Sequence, residues 1–91
     1  MGLKTAFIGK KVLVRAGSAG VHYGTLVERD GQELLLSNAK RIWSWKGALS
    51  LSEIASSGLN VKESKISVAV DEIILTTAVE VILISEASNL P

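Results

Sequence analysis

The chain has no cysteine, one proline, one histidine and four aromatic residues (two Trp, one Tyr, one Phe) among its 91. Without cysteine there are no disulfides and no thiolate metal sites. A single histidine, His22, leaves a histidine-based metal centre out of reach of one chain, so neither metal nor cofactor is expected. No segment holds the roughly 20 consecutive apolar residues that cross a bilayer as a helix. The opening "MGLKTAFIGKK" has too short an apolar run for a signal peptide, and Ala6 stands where a myristoylation motif asks for Ser or Thr. A cytosolic protein without membrane attachment is the expectation. An excess of one charge is missing too: ten basic and nine acidic residues give +1. Duplex-DNA binders draw their affinity largely from neutralising phosphates, so nucleic acid is not the expected partner. A local basic pocket for one or two phosphates stays possible.

What the chain has in quantity is apolar surface. Hydrophobic residues make up 47%, and the mean hydropathy is +0.34. Residues 1–91 read as a single domain, and at this length a domain buries a modest share of its surface. Such a composition predicts that some apolar surface is covered by further copies of the chain, making a homo-oligomer.

Local patterning predicts a mainly β fold with one short helix. "KVLVRA" alternates as a strand over residues 11–16, and "GSAG" then interrupts with small residues. A second strand over 21–29 contains Gly24, which marks a bulge or a close approach by another group. "RDGQ" carries the Asp-Gly pair favoured in type I′ turns, so 21–37 form a hairpin whose third strand is 33–37. A fourth strand follows over 39–45. "SLSEIASSG" is a helix: Ser50 and Glu53 have capping-box spacing, and Gly58 suits the C-terminal cap. β-branched residues then predict strands over 66–75 and 79–85, with local helix an alternative near 78–81. The tail "EASNLP" is expected to fray or to pack on a neighbouring subunit. The order β-β-β-β-α-β-β describes a small antiparallel sheet or partly closed barrel.

No catalytic constellation is legible, and an enzyme is not expected. Asp71 and Glu72 are adjacent, so on a strand they face opposite ways, and no Ser/His/acid set has fixed geometry. Two features suit a ligand instead. Ser18, Ala19 and Gly20 form a small-residue loop whose backbone N–H groups can face an anion, although taken alone the loop is better explained as an ordinary tight turn. "NAKRIWSWKG" holds half of the aromatic residues beside Lys40 and Arg41. On a strand Arg41, Trp43 and Trp45 share one face, while Lys40, Ile42 and Ser44 share the other. Trp43 and Trp45 can stack on a base, and Arg41 can pair with a phosphate. Equally, the two rings can fill a core. Ser50 lies at the start of the helix and His22 on the strand after the small-residue loop. Both join Ser18, Ala19, Gly20, Lys40, Arg41, Trp43 and Trp45 as candidate ligand-binding residues.

"VRAGSAGVHYGTL", "LLLSNAKRIWSWKGALSLSEIA" and "VDEIIL" together resemble a family of small, mostly phage-encoded proteins of uncharacterised function. Its pattern runs V-R-x-x-S-A-G-V-x-x-G-T-L, then L-x-N-A-[KR]-R-[IL]-W-x-W-x-G-A-x-S-L. It covers residues 14–51 nearly without a gap and 54–75 more loosely. Gly17 departs from the pattern, which has a larger, often aromatic residue there. The resemblance implies a protein working in the cytoplasm of an infected bacterial host. In size and apolar balance the chain is similar to viral oligomers that sequester nucleotide immune signals such as cyclic dinucleotides or cyclic ADP-ribose isomers. The expectation is therefore an anti-defence nucleotide sponge. The alternative is a phage accessory or inhibitor acting through protein–protein contact. Single-stranded nucleic-acid binding and a small nucleotide hydrolase are the weaker readings.

Overall fold

The computed structural model describes residues 3–17 and 20–91. Strand β1 (Lys11–Ala16) leads to β2 (Gly20–Asp30), β3 (Glu33–Ser44), helix α1 (Leu51–Ser57), β4 (Lys65–Ile66), β5 (Val70–Leu75) and β6 (Ala78–Leu83). Short 3-10 turns at Leu3–Thr5 and Val61–Glu63 complete the elements among the described residues. The strands form one antiparallel sheet in the order β4-β3-β2-β1-β6, and β5 shares the outer edge of β3 with β4.

Alternation on β1 divides the core in two. Val12, Val14 and Ala16 join Leu26, Leu34, Leu36, Ala39 and Leu75 in one cluster, with Ile73, Ala78 and Val81 packed against it. Leu13 faces the other way, into a cluster with Tyr23, Ile42, Ile54, Ala55, Leu59 and Leu90. Strands β5 and β6 both feed the first cluster although they do not pair with each other. The sheet therefore curls around that cluster without closing. The helix lies over the second cluster because Ile54 and Ala55 occupy its buried stripe.

The mainly β fold with one short helix matches the expectation; several boundaries differ. Residues 33–37 and 39–45 do not form two strands, since β3 runs unbroken from Glu33 to Ser44. Asn38 reads as a chain break because it favours turns, yet here it adopts φ 49° inside the strand. Between the pairs Tyr23↔Lys40 and Thr25↔Ser37 lie one residue of β2 and two of β3, which is a β-bulge. Gly24 is the residue opposite. A Cβ there would stand 2.8 Å from the Ser37 carbonyl oxygen and 3.1 Å from Ala39 Cα. Only glycine lets the bulged strand lie this close.

The hairpin turn also differs. Asp30 pairs with Glu33 around Gly31 and Gln32, and of these two only Gly31 has positive φ, at 59°. That is the pattern of a type II′ turn, with glycine at its first central position, rather than type I′. Residues 66–75 divide into β4 and β5 because 67–69 leave the ladder, and the 78–81 region is strand, not helix.

Helix α1 is capped by the residues its sequence marks. Glu53, however, reaches back to Leu49 rather than to Ser50, and Gly58, at φ 96° and ψ −159°, is not in the left-handed helical conformation. Ser50 Oγ accepts from the Glu53 N–H at 3.3 Å, and Glu53 Oε2 accepts from the Leu49 N–H at 2.8 Å. The Gly58 N–H donates to the carbonyls of Glu53 and Ile54. The tail neither frays nor needs a neighbour, contrary to expectation. Leu90 is buried in the second cluster, and Ser88 Oγ donates to the Ile54 carbonyl at 2.8 Å. The Asn89 side chain accepts from the N–H of Leu59 and donates to its carbonyl, at 2.8 and 2.7 Å. Tyr23 then donates its hydroxyl to the Pro91 carbonyl at 3.0 Å, and burial pushes the phenol up to about 12.

Replacing Gly24 with alanine forces a methyl group against the β3 backbone, an overpacking that costs roughly 1–3 kcal/mol. The Gly24→Ala variant is expected to unfold at lower urea concentration with an unchanged m-value. An unshifted midpoint would mean that β3 relaxes freely around the bulge.

Candidate functional site

The bulge at Asn38 decides which face the basic–aromatic segment presents. Leu36, before it, faces the first cluster. Simple alternation from Leu36 would put Lys40 and Ile42 on that face. The extra residue reverses the order, so Ile42 enters the second cluster and Arg41 comes opposite His22 of β2. Here the sequence expectation holds: Ile42 points into the core and the Lys40–Arg41 pair is split. Lys40 is paired with Tyr23, although it also borders the cavity described next.

Residues 67–69 leave the ladder beside Arg41, and the gap between β4 and β5 opens a cavity of about 130 Å³. His22, Ala39, Lys40, Arg41 and Trp43 line it from β2 and β3, and Ser67, Val68, Val70 and Ile73 line it from the other strand run. Ser67 takes over the missing ladder bonds: its N–H donates to the Arg41 carbonyl, and its Oγ accepts from the Arg41 N–H, both at 2.9 Å.

Arg41 is held at two points along its side chain. Its Nε–H donates to His22 Nε2 at 3.0 Å, and its guanidinium carbon lies 5.0 Å from the centre of the Trp43 ring. Both contacts are favourable, the second through the ring quadrupole. Among the described residues the only ion pair is Arg15–Glu80, at 3.7 Å, so Arg41 has no carboxylate partner. Its terminal nitrogens make no hydrogen bond within the described protein, leaving a positioned fork of donors.

His22 is 1% exposed. Burial first, and then the positive charge of Arg41, lower its pKa below the usual 6.5, so the ring is neutral at neutral pH. Since Nε2 accepts from Arg41, the ring proton of the neutral form resides on Nδ1. Nδ1 is buried without a hydrogen-bond partner.

Within one chain, the candidate site residues that the structure describes, Gly20 apart, divide between two places. His22, Lys40, Arg41 and Trp43 border the cavity. Trp45 and Ser50 line a separate groove of about 420 Å³ with Arg15, Val21, Leu51, Ser52, Glu80 and Ile82. The two tryptophans part because Ile42↔Ile66 and Ser44↔Lys65 leave Trp43 as an extra residue in β3, and alternation resets after it. Trp45 accordingly packs against the second cluster, while Trp43 stays 64% exposed beside Arg41. Ser50 is engaged in capping α1. Gly20 starts β2 opposite Ala16, away from the cavity, and Ser18 and Ala19 lie outside the described residues.

Sequence reasoning missed Ser67, Val68, Val70 and Ile73. No local signal marks them, since their role comes from β5 and residue 67 reaching β3. Among the described residues no group of three or more His, Asp or Glu could hold a metal ion. No helix among the described residues is long and apolar enough to cross a membrane.

The lowered His22 pKa sets a pH dependence. The unfolded chain takes up this proton near pH 6.5, the native state only at lower pH. Stability from this group is therefore complete above about 6.5 and falls as the pH drops toward the native pKa. Replacing His22 with glutamine, whose amide oxygen can still accept from Arg41, should remove this component. Melting temperatures of both proteins between pH 8 and 5 are expected to diverge in slope below 6.5. Parallel curves would place the acid sensitivity elsewhere.

Neither a curated protein nor a solved structure matches the chain. A family model does match, over residues 9–89, described as a domain of unknown function, DUF6948. The match runs from before β1 to the tail that closes the second cluster, taking in both the cavity and the groove. The chain belongs to the DUF6948 family.

Proposed function

We propose that the protein is a non-catalytic receptor that binds a small anionic nucleotide and sequesters it as a homo-oligomer. The observation that carries this reading is the Arg41 fork. It is fixed through Nε by His22 and by stacking on Trp43, with its terminal donors uncommitted at the mouth of a cavity. A guanidinium held this way loses little side-chain freedom on meeting a phosphate, and it can engage two oxygens at once. Trp43 adds an aromatic surface for a base at the same mouth. Ser67, the hydroxyl on the cavity wall, is committed to the backbone of Arg41 and Val68, which supports recognition as the role of the site.

Size favours more than one protomer. The cavity, at about 130 Å³, is smaller than the ~300–1,000 Å³ of sites that enclose small ligands. A bound nucleotide would project past the rim. Val68 on that rim is 84% exposed, and Val70 beside it is 47% exposed. Both are apolar surface that a second copy can cover along with the ligand. The phage resemblance of the sequence supplies the setting, sequestration of a nucleotide immune signal in the host cytoplasm. Exposed Trp43 and Val68 also suit a second reading, in which they anchor a protein partner of an inhibitor.

Titration calorimetry against cyclic mononucleotides, cyclic dinucleotides and cyclic ADP-ribose isomers should find a ligand that chromatography recovers unchanged. Trp43→Ala should weaken its binding by roughly 1–3 kcal/mol, the usual loss for a base-stacking ring. Native mass spectrometry is expected to show a multimer. Silence across the whole panel, with one host protein captured instead, would favour the inhibitor reading.

A further inference from the structure

The reading above leaves open which part of the nucleotide enters the cavity. Resting on that reading, we infer that the cavity receives the heterocyclic base, edge-on, with a ring acceptor facing His22, and that the phosphate stays outside. The cavity has a deep end and a rim. His22 and Ala39, almost sealed from solvent, mark the deep end, while Trp43, Val68 and Val70 are exposed at the rim. Most of its wall is hydrocarbon, from Ala39, Val68, Val70 and Ile73. A phosphate taken to the bottom would lose its hydration against these side chains. Ser67 offers it little, because its hydroxyl already donates to the Val68 carbonyl at 3.1 Å and accepts from the Arg41 N–H.

A flat heterocycle meets the same surroundings differently. Its faces suit the apolar walls and the Trp43 ring. Its edge carries imine nitrogens or carbonyl oxygens, which are acceptors. The deep end provides the matching donor. Arg41 occupies His22 Nε2, so the neutral ring keeps its proton on Nδ1, a buried atom without a hydrogen-bond partner among the described residues. Buried donors are ordinarily paired, and one left over on a side chain that lines a cavity points to an acceptor brought by a ligand. With the base so placed, the sugar emerges past Trp43, and the phosphate falls within reach of the terminal nitrogens of Arg41. His22 thus serves twice: Nε2 aims the arginine at the phosphate, and Nδ1 reads the base.

His22 is the only histidine in the chain, so long-range proton–nitrogen NMR of the labelled protein reports its two ring nitrogens without ambiguity. The probes are AMP, GMP, CMP and UMP, the four free bases, and ribose 5-phosphate. At least one nucleotide and its free base are expected to move the Nδ1 signal while Nε2 keeps its acceptor character. Ribose 5-phosphate should leave Nδ1 in place and bind at least about tenfold more weakly than that nucleotide, reflecting the lost base contacts. His22→Gln, which keeps an oxygen to accept from Arg41 but removes the Nδ1 donor, should lower affinity for the base by about tenfold. A nucleotide that binds without moving Nδ1, or ribose 5-phosphate binding as tightly as the nucleotide, would overturn the inference and leave the receptor reading standing. Silence from every nucleotide and every base would overturn both.

Discussion

The extra residue that Asn38 adds to β3, accommodated against the bare backbone of Gly24, is the constraint on which the candidate site depends. A strand's side chains alternate with period two, so one inserted residue exchanges the faces of everything that follows. Before the bulge β3 directs Leu34 and Leu36 to the cluster inside the curled sheet; after it, Ile42 goes to the opposite cluster. Arg41 thereby comes level with His22 instead of Val21. Without the bulge the same residues would place Lys40 next to a buried histidine and Ile42 on the cavity side. Bulges often re-aim side chains near functional sites, and this one aims a cation.

The His22–Arg41 contact is a second dependency. A neutral imidazole can accept from Arg41 only while it remains unprotonated, and its burial together with the arginine's own charge keeps it so. The arrangement is self-consistent: the arginine lowers the basicity of the ring that holds it. It also leaves a mismatch, because one imidazole nitrogen is used and the other is buried without a partner. Stability alone favours an apolar residue at such a position, since an unpaired buried donor costs about 1–3 kcal/mol. Tyr23, the neighbour facing the other cluster, is buried as well, but its hydroxyl reaches a carbonyl of the tail. The contrast between the two separates a polar group used for folding from one left available.

Much of the fold was legible because it rests on neighbours in sequence. Alternation identified β1, the Asp30-Gly31 pair marked the hairpin, and Ser50 with Glu53 announced the helix. Gly24 stood out as a glycine within an apolar strand, and the close approach it suggested is there. Asn38 misled, since an asparagine between two strand-like runs looks the same whether it ends a strand or bulges it. The W-x-W spacing misled for a related reason. Strict alternation puts Trp43 and Trp45 on one face, but a local shift against β4 sends Trp45 to the helix side.

By itself the sequence determined which residues could make strands, where a turn and a helix cap would fall, and that Arg41, not Lys40, would stand on the face of Trp43. These follow from dihedral preferences and side-chain alternation, which act over a few residues. Only the tertiary structure decided what Arg41 would meet. Its hydrogen bonds to His22 and Ser67 join residues 19 and 26 positions apart. Those partners depend on strand register, and register is set by how two apolar clusters fill simultaneously on opposite faces of one sheet. A bulge changes register by one residue while scarcely altering local propensity. That is why the chemistry of the segment could be read in advance and its surroundings could not.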